Sequence, residues 1–110
     1  MERFVKGDIV VLPFPYTDSS LTKRRPALII ANFKGENVIT AQITTNRRND
    51  EDLVPLTNKD FLEGALKHDS FIMLSIISTI EKSRIVYKLG KIKKEKMYEV
   101  QEKLCELFAR

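Results

Sequence analysis

Residues 27–31, ALIIA, carry no polar side chain and directly follow Pro26. A short apolar run bounded by turn formers and rich in branched side chains reads as a strand buried on both faces. The chain has 110 residues, the size of one ordinary domain, so whatever covers those faces must come from the same short sequence. Residues 1–110 are therefore expected to form a single domain around one core.

The remaining segments supply the cover. Asp8 to Leu12, DIVVL, is a β-branched strand, and Pro13 and Pro15 are expected to interrupt it before the polar loop TDSSLTKRR, which Pro26 ends. Asn32 to Asn37, with Gly35 inside, reads as a hairpin turn into a strand over Val38 to Thr44. A second polar segment, TNRRNDED, leads into LVPL. Thr57 or Asn58 is placed to cap a short helix running to Leu66, with Gly64 near its end. Ser70 to Ile80 is a long β-prone run, and Ile85 to Leu89 is a further short strand. From Lys94 onward, Met97, Val100, Leu104, Leu107 and Phe108 recur at helical spacing, opposite Glu99, Glu102, Lys103 and Glu106. Several short strands closed by one amphipathic helix predict a mainly β protein with helices (α+β), built as a small antiparallel barrel or strongly bent sheet.

Composition excludes several classes. With 43% hydrophobic and 31% charged residues the chain has the make-up of a folded globular protein. No apolar run approaches the roughly 20 residues of a membrane span. The start, MERFVKGDIVV, lacks the long apolar region of a signal peptide, so a cytoplasmic protein is expected. One cysteine, Cys105, and one histidine, His68, argue against an internal disulfide, a zinc cluster or a two-histidine acid–base pair, and no metal or other cofactor is expected. His68 reads as a surface residue at a helix end. Walker, GxSxG and HExxH motifs are missing.

What remains is basic. Nineteen Lys and Arg against fifteen Asp and Glu give a formal charge of +4, concentrated at Lys23, Arg24 and Arg25, at Arg47 and Arg48, and at Lys91, Lys93, Lys94 and Lys96. Such clusters favour polyanions, although each also fits a solvated face. Two polar strand ends stand out: KRRP at Lys23 to Pro26 and ITTN at Ile43 to Asn46. Pro26 restricts Arg25 to extended backbone, which presents its guanidinium from a stiff support. Arginine matches a phosphate bidentately and stays charged, and Thr44 or Thr45 can add a hydroxyl donor to the same phosphoryl group. The alternative is a loop arginine beside threonines that serve only β propensity.

The string GDIVVLPFPYTDSSLTKRRPALIIAN, then AQITTN, then DSFIMLSIISTIEKSRIVYKLGKIKKEKMYEV, resembles the MazF/PemK family of toxin ribonucleases from bacterial and archaeal toxin–antitoxin systems. Gly7 and Asp8 before the first strand, Arg25 with Pro26 after a loop of fitting length, the threonine after the third strand, and Gly90 carry the resemblance. It implies an SH3-like barrel, a homodimer, cleavage of single-stranded RNA, including mRNA, at short motifs, and a cognate antitoxin whose tail occupies the RNA groove. By position it implies Arg25 as the catalytic arginine and Thr44 as the catalytic threonine, with Arg24 and Thr45 as neighbours that assist or substitute. Where many relatives carry an acidic residue and a glutamine, this chain has Ser75 and Ile76.

The expected chemistry is metal-independent attack of the RNA 2′-hydroxyl on the adjacent phosphate, leaving a 2′,3′-cyclic phosphate and a free 5′-hydroxyl. Arg25 would stabilise the developing charge and Thr44 would hold the phosphate in line. The general base stays open among Arg25 itself, a water and Asp18. Lys23, Arg24, Thr45, Asn46 and Arg47 are expected to line the RNA path, with Phe14 and Tyr16 as stacking surfaces. A different class remains in play: a non-enzymatic binder like the CcdB-type toxins that block DNA gyrase on the same barrel, or a retired relative that binds RNA or antitoxin without cutting.

Overall fold

The computed structural model describes residues 3–15, 22–46 and 52–110. The described elements are β1 (Asp8–Pro15), β2 (Thr22–Asn32), β3 (Asn37–Thr44), β4 (Leu53–Leu56), β5 (Phe61–Gly64), β6 (Ser70–Glu81), β7 (Tyr87–Ile92) and α1 (Lys94–Ala109), with 3₁₀ turns at Asn58–Asp60 and Lys82–Arg84. Every strand pair is antiparallel, in the order β4-β6-β3-β2-β1-β7-β5. The sheet curls into a half-barrel that α1 closes, the bent sheet that the sequence pattern predicts and the SH3-like form that the resemblance implies.

Both faces of the central strands are covered, which is why ALIIA is almost wholly apolar. On the inner face Ile9, Leu28, Ala41, Ile43, Ile72 and Leu74 pack with Met97 and Val100 of α1. On the outer face Val10, Leu12, Ala27, Ile29 and Val38 form a second cluster beneath Phe4, Ile80 and Ile85. Each fully buried aliphatic side chain contributes about 1.5–3 kcal/mol by leaving water. The helix meets the barrel through Met97 and Val100, with Leu104 and Leu107 half-buried beside them. Phe108, expected on the same stripe, is 73% exposed. Lys96 ties α1 to the β4 edge by donating to the Pro55 carbonyl at 2.9 Å, and Asp60 lies 3.6 Å from the same ammonium.

Gly7 and Asp8 lock the start of the sheet. Gly7 adopts φ +96, a value that suits the third position of a type II turn, and the Asp8 N–H donates to the Val5 carbonyl at 3.1 Å. Asp8 Oδ2 in turn accepts the Val5 N–H at 2.9 Å, so the turn is clasped from both sides. Gly90 and Gly64 are paired where β7 meets β5. A Cβ on Gly90 would stand 2.4 Å from the Glu63 carbonyl oxygen, so the close approach of these strands demands glycine.

Three expectations need correction. Pro13 and Pro15 lie within β1, and β2 begins at Thr22 rather than at Pro26. The ladder to β7 covers only Asp8 to Val11 of β1, and the ladder to β3 starts only at Ala27 of β2. Pro13 and Pro15 therefore lie past the end of the ladder to β7, and Pro26 past the end of the ladder to β3, so each stands at a locally unpaired strand edge, where a missing N–H is tolerated. The helix expected from Thr57 to Leu66 is a single 3₁₀ turn followed by β5. Thr57 does cap it, with its N–H donating to Asp60 Oδ2 at 2.9 Å, but Phe61 is buried in the inner core and the chain pairs with β7 at once. His68 consequently follows a strand, on the surface as expected. The last strand runs Tyr87–Ile92, shifted from Ile85–Leu89, because Ile85 caps the preceding 3₁₀ turn.

Candidate functional site

The ribbon formed by the ends of β1 and β2 carries the basic motif. Its register sets Arg25 opposite Leu12, Arg24 opposite Pro13 and Lys23 opposite the backbone of Phe14. Side chains alternate along a strand, so Arg25 shares the outer face with Leu12 and Ala27, while Arg24 points to the other side. Arg25 is half-buried; Lys23 and Arg24 are exposed.

The same register relates the ribbon to β3. Ala27 pairs with Gln42 as the last rung of the β2–β3 ladder. Two residues further along each strand lie Arg25 and Thr44, level with one another where the strands part. Both fall on the outer face, together with Gln42. An arginine and a hydroxyl thus stand on one face of neighbouring strands just past the end of their ladder.

Thr44 is 5% exposed, and its Oγ1 accepts the Asn46 N–H at 3.1 Å. That bond uses an acceptor site and leaves the hydroxyl hydrogen available to donate. Thr45 and Asn46 lie beyond the end of β3 and are exposed. Thr44 is buried and Thr45 exposed, while Arg25 is half-buried and Arg24 exposed on the opposite face. Phe71 of β6 stands opposite Thr44 and extends the same face. Tyr16, Asp18, Arg47 and Arg48 lie outside the described residues. Among the described residues no three His, Cys, Asp or Glu side chains come together as a metal site.

Two features escaped the sequence reading. Gln42 sits on the outer face between Ala27 and Met73, next to Thr44, and the alternation in AQITT was the signal for it. Residues Leu74 to Ile76 form a wide bulge in β6, between the rungs Gln42 to Met73 and Ala41 to Ile77. Ser75 and Ile76 are pushed outward there and are exposed.

A buried charge pair supports the sheet at the opposite side of β1. Asp8 is fully buried, and its Oδ1 lies 3.3 Å from Lys88 Nζ, an ion-pair distance without hydrogen-bond alignment. Glu63 approaches the same ammonium at 3.5 Å. Burial works to lower the Lys88 pKa, but the negative charges of Asp8 and Glu63 outweigh it and raise it above the ordinary lysine value.

A curled antiparallel sheet closed by one helix, with an arginine and a threonine at the parting of two strands, defines a small SH3-like barrel protein. Solved structures share that architecture along its whole length. The MazE–MazF structure from Deinococcus radiodurans is 18% identical and matches 99% of this chain and 98% of its own with a TM-score of 0.79. An endoribonuclease in complex with its cognate antitoxin from a Mycobacterial species is 19% identical over 97% of this chain and 96% of its own, with a TM-score of 0.77. Mycobacterium tuberculosis toxin MazF-mt6 is 21% identical over 93% and 96%, with a TM-score of 0.72. At these identities the likeness establishes the fold. No curated protein sequence matches. The family model of PemK-like, MazF-like toxins of type II toxin–antitoxin systems matches residues 5–108, and the chain belongs to that family.

Proposed function

We propose that the protein is an endoribonuclease toxin that cleaves single-stranded RNA without a metal, with Arg25 and Thr44 as its catalytic residues. The observation that carries the proposal is the level placement of Arg25 and Thr44 at the splayed ends of β2 and β3. Membership of the toxin family and the endoribonuclease activity named for a structural relative support it.

In the reaction the 2′-oxygen bonds to phosphorus and the bond from phosphorus to the 5′-oxygen breaks. The 2′-hydroxyl proton goes to a base and the departing 5′-oxygen takes up a proton. Arg25 stabilises the added negative charge on the five-coordinate phosphorus, and the Thr44 hydroxyl donates to a non-bridging oxygen to keep attacking and leaving oxygens in line. Lys23, Arg24, Thr45, Asn46 and Arg47 hold neighbouring phosphates, and Phe14 and Tyr16 offer stacking faces. Asp18 is kept as a candidate acid or base.

A second copy of the chain and a cognate antitoxin complete the assembly. Support for the homodimer comes from β6: Ile77 to Glu81 pair with β3 on one edge, and among the described residues no strand pairs with the other. Such an open edge invites isologous pairing. Sedimentation at tens of micromolar should give twice the 12.7 kDa chain mass.

The decisive experiment is incubation with a long mixed-sequence RNA in EDTA, comparing wild type with Arg25→Ala and mapping the cut ends. Cuts at a short recurring motif, bearing cyclic phosphates and reduced about 10²–10³-fold in the variant, support the proposal. Intact RNA from a folded dimer would refute it and leave a gyrase-binding or RNA-binding toxin.

A further inference from the structure

The β2–β3 hairpin closes beside the start of the chain, and the two enclose an open depression of about 1000 Å³ at the far end of the outer face. Phe4 lies in it, half-buried against the outer-face cluster, and Phe33 projects from the turn with 48% of its surface exposed. Among the described residues, Arg3, Lys34 and Lys82 stand around these rings, with the carboxylate of Glu36. The Lys82 ammonium is committed: it donates to the carbonyls of Phe33 at 3.2 Å and Gly35 at 3.0 Å, which fixes the turn that presents the Phe33 ring. Arg3 and Lys34 are exposed at the rim.

This depression and the catalytic residues occupy one face. Asn32, in its wall, pairs with Val38 of the outer-face cluster, and Arg25 pairs with Leu12 of the same cluster. Seven residues of β2 separate Arg25 from Asn32, about 23 Å along the strand. That span lies within the several nucleotides over which a small β-barrel tracks a single strand. An exposed aromatic ring flanked by cations is the chemistry that holds single-stranded nucleic acid, since every base offers a π-face and every linkage a phosphate.

We infer that the depression is a distal subsite for the RNA strand, in which Phe33 stacks one base and Arg3 and Lys34 contact the adjoining phosphates. It rests on the ribonuclease reading and adds to it an anchor remote from the scissile bond. The anchor makes affinity depend on RNA length and leaves the chemical step untouched.

The test measures binding of 2′-fluoro mixed-sequence RNA, which lacks the attacking hydroxyl, by fluorescence anisotropy with pools of four and twenty nucleotides. Wild type, Phe33→Ala and the Arg3→Ala/Lys34→Ala double variant are compared, with thermal melts to verify folding at these exposed positions. The gain in affinity from the short to the long pool should fall about tenfold in Phe33→Ala, the loss of one stacked base. In the double variant the slope of log K against log salt for the long pool should shrink by about 1.4, two phosphate contacts at ~0.7 each. If wild type binds both pools and all variants show the same gain and slope, the subsite alone is overturned. If wild type binds neither pool, the subsite and the ribonuclease reading both fall. Unchanged RNA affinity with loss of poly-glutamate binding would assign the depression to an acidic peptide and overturn the inference.

Discussion

Replacing Asp8 tests whether the GD pair at the head of β1 is a structural clasp. Asp8→Ala removes a fully buried carboxylate, its 2.9 Å bond from the Val5 N–H and the partner that Lys88 faces at 3.3 Å. A hydrogen bond to a charged acceptor is worth about 1.5–3 kcal/mol, and breaking a buried pair on one side costs about 3–5 kcal/mol. The Lys88 side chain is 29% exposed and keeps Glu63 at 3.5 Å, so it is not stranded as a bare buried charge. The two contributions overlap, and the lower end applies: about 3 kcal/mol. For a chain of this size that corresponds to a fall in Tm of about 12 °C. Urea titration followed by circular dichroism should show a lower midpoint with an unchanged slope. Asp8→Asn, which retains a carbonyl acceptor for the Val5 N–H, should lose less. Asp8→Ala within about 0.5 kcal/mol of wild type would refute the clasp, because a buried carboxylate cannot be removed so cheaply if its partners depend on it.

Alkaline pH should act through the same pair. The folded Lys88 pKa is raised above 10.5, so its contribution is complete below that value and is lost as pH rises through the raised folded pKa. Wild type should lose stability in that window, and Asp8→Asn should show a flatter profile in urea melts. Gly90→Ala drives a Cβ to 2.4 Å from the Glu63 oxygen and should cost about 1–3 kcal/mol, whereas Gly35→Ala, with nothing within 4 Å, should be near neutral by thermal melt. Leu28→Ala opens the inner core and should cost about 2–5 kcal/mol by urea titration. Thr44→Val keeps the shape but removes the hydroxyl, so it should slow RNA cleavage at least tenfold while the melting temperature stays close to wild type.

Much of the barrel was legible in local patterns. ALIIA announced a strand covered on both faces, AQITT a strand with alternating sides, and the spacing of Met97, Val100, Leu104 and Leu107 a helix laid on the core. The candidate site was legible only in part: the Arg25–Pro26 pair and the threonines of ITTN were visible, but nothing in the linear order placed Arg25 level with Thr44.

The sequence by itself determined most of the strands and the closing helix, because side-chain periodicity and turn residues act over a few neighbours. Which residues within those elements became special was decided by tertiary contacts. Pro13, Pro15 and Pro26 stay inside strands because β7 stops short of the first two and β3 stops short of the third, which leaves each at an open edge. The expected helix around Phe61 became a strand because β7 offers its hydrogen bonds and the inner core takes the ring. The ring of Phe33, the pairing of Asp8 with Lys88 and the alignment of Arg25 with Thr44 all join residues far apart in the chain. Local propensity carries no information about such pairs; register does, and register is set only when the whole sheet closes.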